Sequence, residues 1–71
     1  MNINGLEYIK LNNLFYKWIS DNDLDKYALL DPMRAAAFGF YAARCLGNLV
    51  DEWDVRLFVE LVNKDVRDES V

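Results

Sequence analysis

Asp21, Asp23 and Asp25 alternate along the chain, the spacing in this sequence that comes nearest to a metal site. Carboxylates at the first, third and fifth positions open a calcium loop, which also needs glycine sixth and a bidentate glutamate twelfth. Lys26 and Pro32 stand at those two places. Both the turn and the closing ligand are lost, so the expectation is a solvated, helix-capping loop with no metal. The other chemistry-bearing residues are few. The chain has no histidine and no threonine, two serines (Ser20 and Ser70) and one cysteine, Cys45. A Ser-His-Asp triad, a Cys-His dyad and any zinc site built from histidines or several cysteines are therefore impossible within one chain. Cys45 lies inside a strongly apolar run, where an inert core thiol is expected. No carboxylate pair falls in an apolar setting suited to acid/base work. The reading is a non-enzyme without a cofactor.

Twelve acidic and eight basic residues give a net charge of −4 and a pI near 4.5. That balance argues against a general nucleic-acid binder and against a polybasic membrane-surface protein. Lys10, Lys17, Lys26, Arg34, Arg44, Arg56, Lys64 and Arg67 are scattered and form no run, so a DNA-associated regulator is the weakest reading. Asp51, Glu52 and Asp54 form a second acidic group. With Asp21, Asp23, Asp25 and Asp31 it would make one negative surface if the two loops lay at the same end of a bundle. Such a surface could occupy a nucleic-acid groove on another protein. Ordinary N-terminal capping explains the same residues.

The elements that position these residues read as helices. Apolar residues recur at helical spacing and one proline interrupts them. A first helix is expected at about 4–19, with Tyr8, Leu11, Leu14, Phe15, Trp18 and Ile19 on one face and Lys10, Asn13 and Lys17 opposite. A short helix at about 23–30 follows, with Asp21 or Asp23 as its N-cap. Asp31-Pro32 then restarts the chain as N-cap and first helical position of a helix at about 32–48. Between Ala35 and Val50 its polar side chains are Tyr41, Arg44 and Asn48. A helix so apolar all round is buried or spans a membrane, and about 16 residues with an internal arginine fall short of the ~20 a span needs. It is expected to be the central helix of the core, ended at Gly47-Asn48. Asp51 caps a fourth helix, with Asp54 in the place of a capping-box glutamate and Val50 and Val55 at the staple positions. That helix runs to about Val66, and the polar end beyond it is expected to fray.

Two features of these helices concern contact rather than chemistry. Ala35, Gly39, Ala43 and Gly47 recur at every fourth position, a seam that lets another helix approach closely. Two helical glycines cost roughly 1 kcal/mol each against alanine, which packing must offset. The seam serves either a helix of the same chain or a second copy across a twofold axis. The fourth helix carries two apolar rows: Val55, Phe58, Val59, Val62 and Val66, and separately Trp53, Leu57 and Leu61. The second row is either further core or a partner-binding hot spot.

At 71 residues and 54% apolar content, the chain has room for one domain, here residues 1–71. A domain this short buries only about 60% of the surface its unfolded chain exposes. One cysteine provides no internal staple, and the first residues lack a signal-peptide pattern, so a cytoplasmic location is expected. The expected fold is all-α, a small bundle of three long helices and one short helix. The expected function is a protein–protein interaction module, a small inhibitor or adaptor acting as a homodimer, with no membrane and no direct nucleic acid. The alternative is an acidic, nucleic-acid-mimicking inhibitor of the anti-restriction or anti-CRISPR kind that phages encode.

Overall fold

The computed structural model describes residues 5–69. It is all-α: α1 (Gly5–Asp21), a single 3-10 turn (Ala28–Leu30), α2 (Pro32–Leu46) and α3 (Glu52–Glu69). Asn4, expected to begin the first helix, and the last two residues of the expected frayed end lie outside the described residues.

Each helix buries one stripe. α1 buries Leu11, Phe15, Trp18 and Ile19, and α3 buries Val55, Phe58, Val62 and Val66. Both stripes follow the expected periodicity. One phenylalanine from each helix meets at the centre. Phe15 and Phe38 stand edge to face at 5.6 Å between centroids, and Phe58 lies 5.9 Å from both. Trp18 packs on Phe38 at 5.3 Å and Tyr8 on Phe58 at 5.6 Å. Edge-to-face rings gain beyond the area they bury, because the positive rim of one faces the negative face of the other.

The helix ends are fixed by short polar side chains. α1 closes with a Schellman pattern: the Leu24 amide donates to the Ile19 carbonyl at 2.8 Å and the Asp23 amide to the Ser20 carbonyl. Asp23 takes the left-handed position (φ 56°) that glycine usually fills, an aspartate being one of the few alternatives tolerated there. The expected short helix is present only as the 3-10 turn, and the expected cap at Asp21 or Asp23 is overturned. Asp23 ends the helix before it, and only Ala28–Leu30 turn helically before Pro32. The Asp31 carboxylate accepts from the Met33 amide at 2.9 Å and Pro32 opens α2, as expected. Asp51 and Asp54 cap α3 reciprocally: the Asp54 amide donates to Asp51 Oδ1 at 2.9 Å, and the Asp51 amide to Asp54 Oδ2 at 3.2 Å. An aspartate thus closes the capping box despite its shorter reach. Val50 and Val55, the staple pair, are both buried in the core cluster.

Three contacts fix α2 and its preceding turn antiparallel to α3. Gly39 faces Val55, the Asn63 amide Nδ2 donates to the Leu29 carbonyl at 3.0 Å, and Lys26 pairs with Glu69. Going back along the chain from Gly39 to Lys26 goes forward along α3 from Val55 to Glu69. The Lys26–Glu69 hydrogen bond raises the lysine pKa above its usual value. Its contribution is present below the pKa of the unfolded lysine and fades as pH rises through the raised one, and full solvation keeps it small.

α2 departs from its expected role. It buries only Phe38 and Ala42 fully, while Met33 is 82% and Phe40 76% exposed. α1 and α3 both pack on one side of α2, and among the described residues no fourth helix covers the other. Cys45 is exposed rather than an inert core residue. It shares a side of α2 with Phe38 but lies seven residues further on, about 10 Å along the axis, past the aromatic centre.

The aromatic centre sets the stability of the fold. Phe38→Ala should cost about 3–5 kcal/mol, a large share of what a domain this small possesses, and leave little helical signal by circular dichroism.

Candidate functional site

Antiparallel α2 and α3 line an open groove of about 810 Å³ to which α1 contributes no residue. Its floor is small: Ala35, Ala36, Gly39 and Ala43 of α2 carry a methyl group or less. Phe40 stands at the α2 rim and Trp53 at the α3 rim, the latter 54% exposed. Glu52, Arg56 and Glu60 line the α3 side at successive turns. The periodicity explains the arrangement. Steps of four residues advance about 40° around a helix, so the small-residue seam drifts across the surface of α2.

That drift divides the expected seam. Ala35 and Gly39 are half-buried, whereas Ala43 and Gly47 are exposed. The inner half faces α3, yet without the close backbone approach that the glycines suggested. A Cβ built on Gly39 meets only Val55 Cγ1, at 4.0 Å, an ordinary contact. Gly47 differs: a Cβ there would come within 2.6 Å of the Ala43 carbonyl oxygen as the helix closes. It ends α2 with a right-handed φ of −58°, not with the left-handed residue that glycine-ended helices often use.

The structure joins two features read separately in the sequence. Trp53 and Leu57 of the second apolar row line the same groove as Ala35, Gly39 and Ala43. Leu61, the third member of that row, is 41% exposed and lies outside the groove. Neither the row nor the outer seam is core.

The acidic residues do not come together. The loop bearing Asp21, Asp23 and Asp25 lies toward the end of α3, where Lys26 meets Glu69. Asp51, Glu52 and Asp54 begin α3. The two groups are separated by the length of that helix, about 25 Å at 1.5 Å per residue. The single negative surface required the loops to share an end, and they do not. Asp25, Asp51 and Asp54 also hold backbone amides: Asp25 Oδ1 accepts from the Tyr27 amide at 2.9 Å and the other two form the capping box. Among the described residues, no group of three or more His, Cys, Asp or Glu could hold a metal ion, and no helix is long and apolar enough to cross a membrane.

One structural residue escaped the sequence reading. Asn63 joins α3 to the 3-10 turn through its bond to Leu29, and its Oδ1 is buried with no hydrogen-bond partner among the described residues. The signal was an asparagine flanked by Val59, Val62 and Val66 on the core side of α3.

No protein-family model matches the chain, and comparison with curated proteins and with solved structures returns no match. The groove must therefore be interpreted from its own chemistry. It offers a large apolar surface, two exposed aromatic rims and three charges, with no nucleophile and no ionisable pair withdrawn from water.

The Gly39 geometry makes a direct prediction. With room for a Cβ and no backbone strain, Gly39→Ala should stabilise the fold by roughly 0.5–1 kcal/mol and raise Tm by several degrees in a thermal melt.

Proposed function

We propose that this chain is a non-enzymatic protein–protein interaction module, a small inhibitor or adaptor that acts as a homodimer. The observation that carries the reading is the apolar side of the α2/α3 pair. Met33, Phe40 and Trp53 are all more than half exposed although each would gain from leaving water. Isolated exposed apolar residues are ordinary, but a contiguous apolar groove rimmed by charge is the composition of an interface. Trp53, with Leu57 and Leu61 one and two turns along, is the anchor that a target would seat. The same surface offers no groups in position for group transfer or hydrolysis, which favours binding over catalysis.

Nucleic-acid mimicry draws its support from Asp51, Glu52 and Asp54 alone, since the other acidic loop stands at the far end of α3. A salt titration separates the two readings. With a target captured from the source cells, Trp53→Ala should weaken binding about 30-fold or more, equivalent to about 2 kcal/mol, with little dependence on salt. The variant should remain folded, because Trp53 is exposed. Binding that collapses with modest salt and ignores Trp53 would instead favour the acidic reading.

A further inference from the structure

We infer that the exposed face of α2 is covered by a second copy of this chain, packed antiparallel across a twofold axis at Phe40. This deepens the interaction-module reading and rests on it. Met33, Phe40 and Gly47 recur at every seventh residue, with Ala36, Ala37 and Ala43 between them, and all are exposed. Seven-residue spacing on one face is the pattern by which helices pair lengthwise, and alanines between the larger knobs permit a close approach. An antiparallel pairing centred on Phe40 sets Met33 against the second copy's Gly47 and Ala37 against the second copy's Ala43. Met33, the most exposed apolar side chain of the face, then meets the residue with no side chain at both ends of the contact, and the exposed Arg44 falls opposite Ala36.

The charges on α3 fit the same register; they also fit one a turn further along, where Arg56 meets the second copy's Glu60, and the Met33–Gly47 fit decides between the two. Gly39 faces Val55 and the helices run antiparallel, so Phe40 stands level with Asp54. A twofold axis through that level brings Glu52 to the height of the second copy's Arg56, and Arg56 to that of its Glu52. Both residues are exposed and line the groove that Phe40 borders. Two opposite-charge pairs are therefore brought to matching heights, one on each side of the axis. Moving the axis half a turn along α3, to the level of Arg56, would set the two arginines against each other and lose the Met33–Gly47 fit. One patch serves both copies, which is what an isologous interface requires.

The test uses two single charge variants and light scattering. The unmodified chain should have twice the 8.3 kDa mass of one chain. Arg56→Glu places glutamate opposite glutamate in its own dimer, and Glu52→Arg places arginine opposite arginine. Each alone should fall to the mass of one chain while keeping its helical circular dichroism. An equimolar mixture should return to twice the mass, because the mixed dimer restores both pairs. Pairing within one helix cannot produce that rescue. If either variant loses helicity, Phe40→Ala decides in its place: the mass of one chain supports the dimer and twice that mass overturns it. The proposal is also overturned by a single-chain mass for the unmodified protein, by single variants that remain dimers, or by a mixture that stays at the mass of one chain. Rescue of Arg56→Glu by Glu60→Arg in place of Glu52→Arg would overturn the register. A monomer that still captures a target through Trp53 would remove this proposal and the homodimer, and leave only the target-binding part of the interaction-module reading standing.

Discussion

Phe15, Phe38 and Phe58 meet where α1, α2 and α3 converge, and the rest of the structure depends on that contact. One large ring per helix fills this small, economical centre, with Leu11 and Leu29 sealed in the same core and Trp18 and Tyr8 packed on the rings. The same economy limits what the core can cover. A ring from α2 that points inward at Phe38 forces Phe40, two residues away and about 200° round the helix, to point outward. The apolar surface that remains wet is thus the geometric complement of the contact that holds the fold.

The peripheral bonds convert that centre into a fixed register. The Asp51–Asp54 capping box and the buried Val50 and Val55 set where α3 begins, and Asn63 holds its later turns to the 3-10 turn. With both ends of α3 tied to the chain around α2, the helices cannot slide against each other without breaking a cap or orphaning a carbonyl. The levels of Phe40, Glu52 and Arg56 are therefore properties of the fold, and the groove is presented with its charges at defined heights. A module that recognises a partner through a pre-shaped face avoids the ordering entropy that a flexible segment would lose on binding.

Legibility in the sequence followed the range of the interaction. The Asp31-Pro32 start, the Asp51 cap and the stripes of α1 and α3 were readable because neighbours within a few residues determine them. The end of α1 is hard to read for a local reason: an aspartate in sequence points to an N-cap far more strongly than to a left-handed C-terminal residue. The burial of α2 was not readable at all. Its composition is apolar all round, and composition cannot say that α1 and α3 pack on the same side. Cys45 followed the same error, since a helix face predicts burial only where another element stands opposite. At the candidate site, the small-residue seam and the Trp53 row were each identified, but their union in one groove depends on the antiparallel register, which no single helix encodes.

The account turns on α2 hiding its outer face against another copy of itself. The concentration dependence of thermal unfolding measures this most directly, because a dimer that dissociates on unfolding is stabilised by mass action and a monomer is not. The account predicts a Tm that climbs steadily as the protein is concentrated. A Tm that stays constant across the whole accessible range would contradict it.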